Sequence, residues 1–122
     1  IDNVILHGYL SGIEKYSILK SSNFFVFPSI DESWGIVLME ALACGLPVLA
    51  YDLDAYKDIY PDGMIERAPV EDREEFVSRI VLLASTKEEE PARMKRIDFA
   101  MNFDWEDLVE QEYESIKARL TK

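Results

Sequence analysis

Residues Pro28–Asp52 read PSIDESWGIVLMEALACGLPVLAYD, and the rest of the chain is arranged around them. An apolar run, Phe24 to Phe27, precedes this stretch and ends at Pro28. A short polar loop follows with Asp31, Glu32 and Ser33, and then Gly35 opens a run with no breaker until Gly45 and Pro47. A second apolar run, Val48 to Tyr51, closes the stretch. This is strand, loop, helix, strand: a buried βαβ unit, whose crossover is expected to be right-handed. The helix is apolar on nearly every face (Ile36, Val37, Leu38, Met39, Leu42, Cys44), so it is predicted to be sandwiched inside a domain. Glu40 is the one charge within it, and a carboxylate there is costly unless something pairs with it. It lies two turns after Glu32 in sequence, near the carboxyl end of a strand, where open α/β sheets bind ligands, and its carboxylate is expected to point to that edge.

Outward from this unit, Asn3 to His7 reads as a short strand, and Ser11 with Glu14 as a capping box opening a helix to about Ser21. After Tyr51 come a short helix from Asp54 to Tyr60, a turn at Pro61-Asp62-Gly63 and a brief strand from Met64 to Arg67. Asp72 with Glu75 caps an amphipathic helix carrying Phe76, Val77, Ile80, Leu83 and Ala84. The charged stretch Lys87 to Glu90, a solvated helix start, leads past Pro91 into a helix with Met94, Ile97 and Met101. Asp104 caps a last helix whose apolar stripe is Trp105, Leu108, Val109, Tyr113, Ile116 and Leu120. Alternating strands and helices predict an α/β fold with a parallel sheet.

Composition narrows the function. The chain has 122 residues, 48% of them hydrophobic, enough for one domain with a core. Net charge is −11, and the first 66 residues hold three basic side chains (Lys15, Lys20, Lys57) against ten acidic ones. No nucleic-acid partner is expected, because such binding needs a basic footprint. The lone Cys44 makes no internal disulfide, and no run has the length of a membrane span or the pattern of a signal leader, so a cytoplasmic chain is expected. No metal-ligand cluster, Ser-His-Asp set or Walker-type loop appears, and neither cofactor nor metal is expected.

Glu32 and Glu40, with seven residues between them and followed by the tail of EALACGLPVLA, resemble the Glu-x7-Glu motif of retaining glycosyltransferases of the GT-B fold, family 4 in particular. The family pattern is close to E-G-F-G-x-x-x-x-E-A-x-A-x-G-x-P-V. Glu32, Gly35, Glu40, Ala41, Ala43, Gly45, Pro47 and Val48 keep it, with Trp34 for the Phe and Ser33 for the first Gly. The resemblance implies a Rossmann-like parallel sheet with flanking helices, strand order 3-2-1-4-5-6. In it, residues 1–122 are the later part of the C-terminal, nucleotide-sugar-binding domain. The acceptor-binding N-terminal domain would be missing, and so would the phosphate-clamping Arg and Lys.

The family then implies roles residue by residue. Glu40 would accept hydrogen bonds from the donor ribose. Glu32, the candidate catalytic residue, would hold hydroxyls of the transferred sugar. Ser33, Trp34, Gly35 and Ile36 would present backbone N–H groups to the diphosphate at the helix N-terminus. Glu40 is expected to share a cavity with Glu32 and the Gly35 backbone. Each has a plainer reading: a structural carboxylate for Glu40, an acid favoured by the helix dipole for Glu32, a turn residue for Gly35, packing for Trp34. Asp31 reads as a solvated acid, and His7, Cys44 and Pro47 as structural. Two departures stand out. The loop YDLDAYKDIYPDG has no glycine before Gly63 where the family has a pair near the phosphates, and Asp58 stands near a family glutamate. The implied activity is transfer of a sugar from a nucleoside-diphosphate sugar to an acceptor hydroxyl with retention. The alternative is a non-catalytic nucleotide-sugar-binding or scaffolding domain. Strands three and four of this order are not neighbours, so their unpaired edges are expected to close up or to drive self-association.

Overall fold

The computed structural model describes residues 2–121. Its elements are α1 (Gly12–Ser21), β1 (Phe25–Phe27), α2 (Ile36–Ala43), β2 (Val48–Tyr51), α3 (Asp54–Lys57), β3 (Glu66–Ala68), α4 (Arg73–Ser85), α5 (Glu90–Met101) and α6 (Trp105–Leu120). The three strands form one parallel sheet in the order β1-β2-β3. Phe27 stands opposite Ala50, and Ala50 opposite Arg67.

Strand β2 is central and buried at every residue, and its two-residue period divides the core. Val48 and Ala50 join Leu38, Leu42, Tyr56 and Tyr60 on one side; Leu49 and Tyr51 join Ala68 and Phe76 on the other. Helices α2 and α4 therefore contribute to opposite faces of the sheet, the α/β architecture expected from the sequence. Helix α2 buries Leu38, Met39, Ala41 and Leu42 but leaves Ile36 55% exposed, so it is covered on less of its circumference than its composition predicts.

Helix α5 packs across the end of α2. Gly45 has φ +81°, and a Cβ there would lie 2.9 Å from Arg93 Cγ, so both backbone conformation and close approach require glycine. Arg96 donates to the Gly45 carbonyl from Nε at 3.1 Å and Nη2 at 3.0 Å, placing a cation at the carboxyl end of α2. Its guanidinium also meets Glu88, so this acid is engaged where the sequence suggested only a solvated helix start.

Several expectations shift. Asn3 to His7 joins no ladder, and Val4, Ile5 and Leu6 are exposed. A strand needs a partner, and the described chain offers none beside it; β1 pairs with β2 alone. The Ser11 side chain makes no capping bond, because Gly12 enters α1 at φ +57° and the first turn is not regular. Strand β3 begins at Glu66, two residues late, since a turn still closes at Met64, whose N–H donates to Pro61 at 3.0 Å. The caps Asp72 and Asp104 form as expected: Asp72 accepts from the Glu75 N–H, and Asp104 from those of Glu106 and Asp107. The α6 stripe does form, but Val109, Tyr113, Ile116 and Leu120 face solvent and Trp105, in contact with Phe103, remains 45% exposed; the Leu108 side chain lies outside the described ones.

Candidate functional site

The site predicted from sequence lies at the carboxyl ends of β1 and β2. Because these strands are parallel neighbours, the loop after β1 (residues 28–35) and the segment after β2 (residues 52–57) leave the same edge side by side. Gly35 is the N-cap of α2 at φ +68°, ψ +48°, a left-handed conformation that lets the chain turn from loop to helix within one residue. Its carbonyl accepts the Leu38 N–H at 2.9 Å and the Tyr60 hydroxyl at 3.1 Å. That double anchorage fixes the mouth of α2, where the first N–H groups have no partner within the helix.

The two glutamates stand on either side of this turn but share no partner. Glu40 Oε1 takes Lys15 Nζ at 2.9 Å and the Tyr16 hydroxyl at 3.4 Å, with its side chain 20% exposed. The hydrogen bond to Glu40 holds the Lys15 ammonium above the usual lysine range. Among the described residues Glu32 accepts only a long bond, 3.3 Å, from Ser29 Oγ. The physical reason is the break at Gly35. Glu40 follows the helix, one turn past Ile36 on the face turned toward α1, whereas Glu32 follows the loop. Neither glutamate lines one of the pronounced clefts among the described residues. Pronounced clefts lie elsewhere: one of about 550 Å³ at the amino ends of the strands, touching Asn23, Val48 and Met64, and one of about 490 Å³ between α1 and α2. Tyr16 lines the second and reaches Glu40, so this glutamate stands beside that groove.

The remaining positions divide. Ser33 is exposed beside the helix mouth, and Ile36 is exposed at its first turn. Trp34 turns its indole away into an aromatic cluster. It stacks on Trp105 with centroids 4.7 Å apart and meets the Phe103 ring edge-on at 5.4 Å, so its side chain packs.

Three features were not read from the sequence. Lys15 supplies the partner that Glu40 needs; it is one of three cations in the first 66 residues, and that scarcity was the available signal. Tyr56 and Tyr60, four apart, brace Gly35 from below, and the Tyr56 hydroxyl is buried without a hydrogen-bond partner among the described residues. Arg67 donates to the Tyr60 carbonyl at 2.6 Å and tethers β3 to the same corner.

Comparison with known proteins supplies the family. Residues 1–98 match the family described as glycosyl transferases group 1. A phosphatidyl-myo-inositol mannosyltransferase of Propionibacterium freudenreichii subsp. shermanii is 34% identical over 109 residues, 86% of this chain and 28% of that protein. That of Mycobacterium leprae is 36% identical over 66 residues, 53% of this chain and 18% of that protein. An alpha-maltose-1-phosphate synthase of Mycolicibacterium smegmatis is 28% identical over 106 residues, 80% of this chain and 27% of that protein. The chain thus spans well under a third of the length of these relatives. With the βαβ unit and its glutamates inside the matched segment, the chain belongs to the glycosyl transferases group 1 family.

Proposed function

We propose that residues 1–122 are part of the donor-binding domain of a retaining glycosyltransferase of GT-B architecture, family 4. In the whole enzyme a sugar passes from a nucleoside-diphosphate sugar to an acceptor hydroxyl without a catalytic metal. The observation that carries this reading is the left-handed Gly35 turn, which opens the mouth of α2 between Glu32 and Glu40. Backbone N–H groups there receive the diphosphate, and the positive end of the helix offsets charge on the leaving group. Glu40 takes the ribose hydroxyls, exchanging or sharing its contact with Lys15. Glu32 orients the transferred sugar; positioning, not proton abstraction, is its role.

The mannosyltransferase relatives make a nucleoside-diphosphate mannose the first donor to test and an inositol lipid the first acceptor. No helix among the described residues is long and apolar enough to cross a membrane. The test uses the full-length enzyme with a panel of nucleoside-diphosphate sugars, and the anomeric configuration of the product is read by NMR. Transfer with retention is expected, abolished or strongly reduced in Glu32→Ala. An inverted product overturns the retaining reading. Tight donor binding with no transfer to any acceptor supports the non-catalytic alternative, which the loop poor in glycine and cations favours.

A further inference from the structure

Tyr56 is a tyrosine where phenylalanine would pack as well, unless the hydroxyl has a use. The residue is 0% exposed, and its phenolic oxygen has no hydrogen-bond partner among the described residues. Tyr60, one helical turn on, satisfies its own hydroxyl on the Gly35 carbonyl. A buried O–H left unmade is destabilising, so an acceptor that arrives later is the natural complement. The ring lies directly against the turn that opens α2, since a Cβ on Gly35 would sit 2.9 Å from Tyr56 Cε1. Burial first, and then the negative charge of Glu32, push the phenol up to about 12, so it keeps its proton and is available as a donor. Glu32 for its part is half-buried and, among the described residues, held only by Ser29 Oγ at 3.3 Å, the long limit for such a bond, and that hydroxyl also reaches the Asp31 carbonyl at 3.3 Å.

We propose that Tyr56 is a positioning residue for Glu32. When the loop at residues 28–35 settles on the sugar, the Tyr56 hydroxyl replaces Ser29 as donor to one carboxylate oxygen and directs the other at a sugar hydroxyl. The new bond joins a neutral donor to an ionised acceptor, the stronger class of hydrogen bond, and no proton changes owner. This rests on the donor-site reading of Glu32.

The experiment compares Tyr56→Phe, Glu32→Gln and the double variant in the full-length enzyme, reading melting temperature, kcat/KM and affinity for a nucleoside-diphosphate sugar and for the nucleoside diphosphate alone. Tyr56→Phe is expected to melt no lower than the parent, because it removes an unsatisfied hydroxyl. It should nonetheless lower kcat/KM and sugar-nucleotide affinity about tenfold, leave affinity for the bare diphosphate unchanged, and have almost no effect in the Glu32→Gln background. If Glu32→Gln impairs the enzyme while Tyr56→Phe does not, or if Tyr56→Phe costs as much in both backgrounds, this inference is overturned and the donor-site reading stands. If Glu32→Gln has no effect, the donor-site reading fails and takes this inference with it.

Discussion

At the residue scale, Gly35 and Glu40 make separable demands. Gly35 sits at φ +68° with Tyr56 beneath it, so any side chain meets both backbone strain and a contact at 2.9 Å. Left-handed backbone alone costs a non-glycine residue roughly 1–2 kcal/mol. Gly35→Ala should therefore lower stability by about 2 kcal/mol, read as an earlier urea midpoint. Glu40 has a different liability. Its surface pair with Lys15 is screened, so Glu40→Ala should leave the urea midpoint nearly unmoved. In the full-length enzyme the same change should weaken donor binding about 10–100-fold, the loss typical of a charged hydrogen-bond acceptor. A loss of stability without a loss of affinity would return Glu40 to a structural role.

The elements respond according to how they are packed. Helix α4 buries Phe76 against the sheet, so loss of its Asp72 cap is felt by the whole fold: Asp72→Ala should cost about 1 kcal/mol in global stability. Helix α6 has an equally good cap in Asp104, yet Val109, Tyr113, Ile116 and Leu120 of its stripe are exposed. Asp104→Ala should speed hydrogen exchange within α6 and barely move the main unfolding transition. Segment α3 adds a pH dependence. Burial raises the Tyr60 phenol above its ordinary range and the Tyr56 phenol to about 12, whereas both ionise near 10 once unfolded. The sign follows: their neutral burial stabilises the fold fully below about pH 10, and this contribution is lost as pH rises toward 12. Melting temperature should fall across that window and fall less in the Tyr56→Phe, Tyr60→Phe double variant.

For the whole molecule, the exposed apolar surface has consequences. Strand β1 is an edge with Phe25 and Phe27 only half covered, and Val4, Ile5 and Leu6 lie unpaired nearby in sequence. Open edges and large apolar patches associate, so this chain alone should show an apparent mass that rises with concentration in light scattering. A clean monomer at high concentration would contradict this. On the proposed reading as part of a donor-binding domain, these residues alone should also bind nucleoside diphosphates weakly and transfer no sugar. Robust transfer by these 122 residues would overturn their reading as a partial domain.

The sequence by itself determined the βαβ unit, both side-chain caps of α4 and α6, the glycine at the mouth of α2 and the family. Each is local: periodicity, a capping pair or a turn residue acts within a few positions, so its physics is written in consecutive residues. Only the tertiary structure decided what those residues face. The helix carries Glu40 toward Lys15, 25 positions away in sequence, and the Trp34 ring stacks on Trp105 from the far end of the chain. Asn3 to His7 had the pattern of a strand but no neighbour, and a ladder is a property of two segments, not one. Tyr56 reached the site from the next strand's loop, a juxtaposition that parallel pairing creates and that no spacing along the chain could announce.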